Sequence, residues 1–295
     1  MPWENTYLYA VQAVLLSLPV FLMLGWPFWA MAAAWRWRGV WRWLWLLTPW
    51  WMGKQPSPPE QEPQGVKTIV ANVNAFTGRS DELAEAIADL DTDIAVLLER
   101  RTYDIPGMVR ASDDFDTPLE RPSHHTAVFC RTGCEAWVSP QIGSASMAMP
   151  VALVRPAPGL CLVGVHAPPP IPLDSSGIRP YIAYLARHIE GGRVKSDWEA
   201  CRAGDGAAVI GDLNAVRGSW PYRSLQAAGL RDPLAGAGIW GLSWPFGGGW
   251  PTLPFFQLDH VLLGEASIEG LHMLRIPDSD HRAIMGWLRS ASGGR

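Results

Sequence analysis

The sequence predicts an α+β fold, a two-layer β-sandwich flanked by helices, preceded by an N-terminal transmembrane helix or helical hairpin. Three observations carry this. Apolar runs rich in valine and isoleucine, each of strand length, recur from Lys67 to the end of the chain. Helical patterns fall among them irregularly instead of alternating with them, which favours packed sheets over a parallel doubly wound sheet. The first 53 residues hold a large share of the 17 tryptophans but only one acid, Glu4, so the 295-residue chain divides into two unlike parts.

The first element runs from Tyr7 to Trp35 without a charged residue, and about 20 apolar residues suffice to cross a bilayer. Pro19 and Pro27 would break a soluble helix but are tolerated in lipid. A cleavable signal peptide is a poor fit, because no basic region precedes the stretch and no small-residue cleavage site follows it. Arg36, Arg38 and Arg42 interleave with tryptophans in the manner of a headgroup interface, and Val40 to Met52 is apolar again. A single span would hold the rest of the chain in the cytoplasm. If Val40 to Met52 crosses back, the rest is exported to the extracytoplasmic side, as expected for a bacterial inner-membrane protein. The arginine turn between two apolar stretches favours the hairpin. Residues 1–53 are therefore the membrane anchor, and the proline-rich, polar stretch 54–65 (KQPSPPEQEPQG) is an extended linker. A catalytic domain is expected over 66–295.

Within that domain the expected strands are Lys67 to Val73, Ile94 to Leu98, Thr126 to Cys130, Val151 to Val154, Leu160 to Val165, Ala207 to Ile210, Leu258 to Leu263 and Ala283 to Leu288. Ser80 to Leu90 reads as a helix, with acids in its first turn and Leu83, Ile87 and Leu90 on one face. Ile178 to Ile189 and Tyr222 to Ala228 are further helices. The four cysteines form no CxxC pair and read as small core residues, Cys130 and Cys134 being the only local disulfide option. A net charge of −4 gives no overall attraction to a polyanion.

Polar residues collect where the apolar strands end, which is where a rigid scaffold presents a site. Asn72 and Asn74 close the first strand, and Glu99 follows the second; amides and carboxylates are hard oxygen ligands suited to Mg²⁺ or Mn²⁺. His166 ends another strand and is followed by prolines. In Gly211-Asp212-Leu213-Asn214 the Asp and Asn lie two apart on one side, a spacing suited to orienting a water beside a phosphoryl oxygen. Asp259-His260 and Asp280-His281 bring imidazoles beside carboxylates, as phosphoester cleavage needs. No GxSxG nucleophile elbow and no phosphate-binding P-loop is present.

Taken together, Val70-Ala71-Asn72-Val73, Leu97-Leu98-Glu99, Val165-His166, Gly211-Asp212-Leu213-Asn214, Leu258-Asp259-His260 and Ser279-Asp280-His281-Arg282 resemble, in order, the motif series of the endonuclease/exonuclease/phosphatase superfamily. The resemblance spans about Val66 to Leu288 and implies a DNase-I-like fold and a metal-dependent phosphoric ester hydrolase. It implies Glu99 as principal metal ligand, with Asn72 and Asp280 completing or bordering the site. It gives Asp212 the attacking water, Asn214 a phosphoryl oxygen, Asp259 the orientation of His281, and His166 the part of second catalytic histidine. His260, one residue past Asp259, faces the other way along a strand and reads as structural. His124, His125, His188 and His272 match no motif.

The implied substrate is a phosphoester: a phospholipid headgroup, a small phosphodiester or a nucleic acid. The membrane tether, the negative charge and an aromatic loop favour the first two, with a membrane-associated nuclease as the alternative and an inactive membrane scaffold as the third reading. That loop, Ile239 to Phe256, has three tryptophans, three phenylalanines and no charge. Trp244, Phe246 and Trp250 are candidates to enter the bilayer interface beside the site.

Overall fold

A computed structural model describes residues 63–73, 80–99, 104–114, 125–139, 142, 149–169, 177–245, 254, 256–277 and 279–291. The expected anchor and nearly all of the linker lie outside the described residues. Among the described residues no helix is long and apolar enough to cross a membrane.

Two sheets pack face to face. The first has the order β12-β13-β1-β2-β4-β3, formed by Ala266–Arg275, Arg282–Ser290, Val66–Asn72, Ile94–Leu98, Thr126–Cys130 and Val109–Asp113. The second has the order β5-β6-β7-β10-β9-β8, formed by Glu135–Val138, Val151–Ala157, Leu160–His166, Gly206–Asp212, Arg193–Val194 and Ile189–Glu190. Strand β11, Asp259–Leu263, pairs with β10. Helix α1, Ser80–Asp89, covers the first sheet, while α2, Ile178–His188, and α3, Trp220–Ala227, cover the second.

Side-chain alternation builds three apolar layers. Val70, Val96, Leu98 and Val128 point inward to meet Leu160, Leu162, Ala208 and Ile210 of the other sheet. The intervening residues Ile69, Ala95, Leu97 and Phe129 point outward against Leu83 and Ile87 of α1. Cys161, Val163 and Val209 meet Tyr181, Leu185 and Leu225 on the far side. A central strand buried on both faces reads as an unbroken apolar run, which is why β2, β4, β7 and β10 were visible in the sequence.

Three strands of four or more residues escaped that reading. β3 and β12 are edge strands, half-exposed and interrupted by polar residues, and β5 is short and partly exposed. β10 also runs further than expected, through Gly211 to Asp212. Gly211 does not end the strand. It sits at φ +137°, where a Cβ would come within 2.3 Å of the Val165 carbonyl oxygen, so glycine lets β10 and β7 stay paired up to the site.

The cysteines correct a second expectation. All four are bonded, Cys130 to Cys134 and Cys161 to Cys201. The second pair spans 40 residues, joining β7 to the turn that precedes β10. No local spacing reveals such a pair, because only the packing of β7 brings the two Cα atoms to 5.5 Å.

Candidate active site

The strand register assembles one polar rim from both sheets. In the first sheet β1 and β2 run parallel, Asn72 beside Leu98, so Glu99 emerges next to Asn72. In the second, β7 and β10 run parallel with His166 beside Asp212, and antiparallel β11 sets Asp259 on the other side of Asp212. His281 stands just ahead of β13, the antiparallel neighbour of β1.

Hydrogen bonds join the two halves. The Asn72 amide nitrogen donates to Glu99 Oε1 at 3.0 Å and to Asp212 Oδ2 at 3.1 Å, bridging the sheets. His166 Nε2 lies 3.1 Å from Glu99 Oε1. Asp212 Oδ1 accepts the Asn214 backbone N–H at 2.7 Å, and the Asn214 side chain donates to the Ala167 carbonyl at 2.8 Å. His281 Nδ1 lies 2.7 Å from Asp259 Oδ2, and its Nε2 lies 3.8 Å from Asp212 Oδ2. Glu99 and Asn214 both hold left-handed backbones, at φ +54° and +46°. Such conformations cost on the order of 1 kcal/mol or more and persist where the surroundings over-determine them.

Charge is concentrated and desolvated here. Burial opposes the charged form of Glu99, yet the hydrogen bond and charge of His166 and the Asn72 amide hold its carboxyl down at about 2. Burial raises Asp212 to about 6, with the Asp259 charge adding to the rise and His281 opposing it. Burial also disfavours the His281 cation, but the charges of Asp259 and Asp212 and the Asp259 hydrogen bond outweigh it and lift the imidazole to about 10. His166 is raised as well, burial being outweighed by Glu99.

Of the residues picked from the sequence, the structure brings Asn72, Glu99, His166, Asp212, Asn214, Asp259 and His281 into one site. Ligand atoms of Glu99, His166 and Asp212 lie within 4.8 Å of one another, as do those of Asp212, Asp259 and His281. Two carboxylates beside an amide are oxygen donors that fit a hard divalent cation. Asp280 belongs to neither cluster. Its carboxylate accepts the Trp244 indole N–H at 3.0 Å. Trp244 is half-buried, stacked on Phe256 with ring centroids 5.9 Å apart and 6.4 Å from His281. Trp244 therefore stands beside the site, where the loop is expected; Phe246 and Trp250 lie outside the described residues.

Several supporting residues were not picked. The buried Ser243 hydroxyl accepts the backbone N–H groups of Leu258 and Asp259 at 3.1 and 3.0 Å. Ser279 donates to the Asn72 carbonyl at 2.6 Å and accepts the His281 N–H at 3.0 Å, tying β1 to the approach to β13. The Tyr181 hydroxyl accepts the His166 N–H and donates to the Pro150 carbonyl. Ser279 stands inside a motif and could have been singled out; Ser243 and Tyr181 are recognisable only once the chain has folded. Of the four histidines outside the motifs, His188 stacks on Trp198 and His125 lies 3.4 Å from Asp114, while His124 is outside the described residues.

Solved structures share this architecture. A 3'-5' exonuclease from Neisseria meningitidis matches at 15% identity and TM-score 0.51, over 75% of this chain and 98% of its own. An endonuclease/exonuclease/phosphatase family protein from Bacteroides thetaiotaomicron matches at 14% and 0.54, over 79% and 96%. D. rerio TDP2 complexed with single strand DNA product matches at 14% and 0.51, over 77% and 100%. At such identities the likeness is one of fold. No curated protein matches the chain in sequence. The family model described as Endonuclease/Exonuclease/phosphatase family matches residues 69–281, from β1 through His281. That span covers every residue of the rim, and the chain belongs to this family.

Proposed function

We propose that this chain is a divalent-metal-dependent hydrolase of phosphoester bonds, in first place phosphodiesters, held at a membrane by residues 1–53. The observation that carries the reading is the Asn72 bridge between Glu99 and Asp212, which joins the oxygen donors of one sheet to the acid/base groups of the other.

Glu99, with Asn72 beside it, would hold Mg²⁺ or Mn²⁺, which would supply positive charge against the developing negative charge of the reaction, and Asp280, which accepts the Trp244 indole N–H, would border that site. Asp212, raised to about 6, sits in the range where a carboxylate can take a proton from water near neutral pH. Asn214 binds a phosphoryl oxygen. His281, held cationic by Asp259, donates to the phosphate as charge builds there, and His166 does so from the Glu99 side. Such fixed donors lower the barrier because they need no reorganisation during the reaction. Water oxygen bonds to phosphorus, the ester P–O bond breaks, and the alcohol leaves.

The membrane tether rests on the uncharged stretch Tyr7 to Trp35 and the arginine-tryptophan turn after it. Two disulfides favour the hairpin topology, with the catalytic domain extracytoplasmic, since such bonds persist in oxidising compartments. The tether and the charge of −4 favour a lipid headgroup or small phosphodiester as substrate. A nuclease is the second reading, supported by the fold shared with an exonuclease and a single-strand DNA complex. An inactive scaffold would have lost one of Glu99, Asp212, Asn214 or His281, and all four are present.

The test is turnover by the full chain in detergent, with and without Mg²⁺, on bis-p-nitrophenyl phosphate, phospholipid vesicles and single- and double-stranded DNA. An Asp212→Asn preparation is the control. Metal-dependent turnover absent from the control supports the reading; no turnover on any of them rejects it. Protease accessibility in sealed spheroplasts reports the side of the membrane.

A further inference from the structure

Asp259 and His260 are adjacent on β11, and strand alternation turns them to opposite faces of the sheet. Asp259 faces the rim and His281. His260 faces the layer beneath α3, where it is 1% exposed. Its Nε2 donates to the Ala215 carbonyl at 2.7 Å, and its ring packs on Tyr222 at 5.3 Å. Its Nδ1 is buried and has no hydrogen-bond partner among the described residues. The imidazole is therefore neutral with its proton on Nε2, and burial holds its pKa down.

Ala215 follows Asn214, whose backbone is left-handed and whose side chain stands at the rim. A left-handed backbone at a site residue persists where the surrounding structure fixes it, and here contacts lie on both sides. On one side the Asp212 carboxylate takes the Asn214 N–H. On the other, His260 takes the carbonyl of the next residue. Beyond it, Asp232 accepts from Arg217 and from Tyr222, the residue on which His260 packs. A buried bond from a neutral imidazole to a backbone carbonyl has no water to compete with it, so its loss leaves an acceptor unpaired.

We propose that His260 is a positioning residue for Asn214, so that the Asp259-His260 pair organises both halves of the site: Asp259 sets His281, and His260 sets the turn that presents the Asn214 amide to a phosphoryl oxygen. The inference rests on the role given to Asn214 under the proposed function.

The experiment compares His260→Phe, which keeps the ring and its packing on Tyr222 but lacks the donor, with His260→Gln, which restores one. Both are made in the full chain, alone and with Asn214→Ala, and assayed for Mg²⁺-dependent hydrolysis of bis-p-nitrophenyl phosphate. His260→Phe is expected to lower kcat about tenfold with KM changed less than twofold, and His260→Gln to recover most of the loss. In the Asn214→Ala background His260→Phe is expected to cost almost nothing more. The same factor in both backgrounds, or equal losses for Phe and Gln, overturns the proposal. The side-chain amide signal of Asn214, followed by ¹⁵N NMR in detergent, is read independently of turnover. It should move in His260→Phe and return in His260→Gln, and an unmoved signal also overturns the proposal. Asn214→Ala at wild-type rate removes the role given to Asn214 and overturns the proposal with it, whereas wild-type protein without turnover rejects the proposed function.

Discussion

The Asp259 carboxylate and the His281 imidazole stand 2.7 Å apart across 22 residues of chain. Neither is free to drift. Asp259 is fixed by its β10 register with Asp212 and by the Ser243 hydroxyl on its N–H, and His281 by the Ser279 hydroxyl on its own N–H. The contact is fixed because each residue is anchored separately through its backbone.

Asp259→Asn and His281→Ala are each expected to cost on the order of 10²-fold in kcat, the usual contribution of a positioned acid/base group. The double variant should fall little below the worse single one. Steady-state kinetics of the three variants checks this, and simple addition of the two losses removes the orienting role.

Chelation with EDTA is expected to abolish hydrolysis, and added Mg²⁺ or Mn²⁺ to restore it, because the donors around Glu99 are hard oxygens. Glu99→Gln should raise the Mg²⁺ concentration needed for half-maximal rate at least tenfold while leaving the fold intact. Full activity in excess chelator removes the metal.

The metal-free protein should lose stability as pH rises. The folded pKa of His281, about 10, lies above its ordinary 6.5 because Asp259 and Asp212 outweigh burial. The stabilisation is then complete below pH 6.5 and fades as pH climbs to 10. The charged groups felt by His281 include Asp259, Asp212 and Asp280. Tm measured in EDTA from pH 6.5 to 10 should fall more steeply in the wild type than in Asp259→Asn, and parallel curves contradict the linkage.

Replacing Cys161 and Cys201 by alanine should cost about 4 kcal/mol, the chain-entropy value for a loop of 40 residues. Denaturant unfolding with and without reductant measures it. Wild-type and variant proteins of equal stability under non-reducing conditions would show that this bond is not formed.

Much of the fold was legible because burial on both faces writes continuous apolar runs into β2, β4, β7 and β10. Edge strands β3 and β12 were not legible, since a half-exposed strand carries no such constraint. The site shows the same division. Asn72, Glu99, His166 and Asp212 were visible as polar residues closing apolar strands, and Asp259 and His281 through the motif series that contains them. That Asn72 touches both Glu99 and Asp212, that Trp244 holds Asp280, that Ser243 supports Asp259 and that Cys161 meets Cys201 were decided by tertiary structure alone. The sequence by itself determined which residue types stand at the strand ends, because strand periodicity and burial act over a few neighbours. The partners of those residues depend on strand register and on how two sheets face each other, and these arise from contacts between segments as far apart as Asn72 and Asp212.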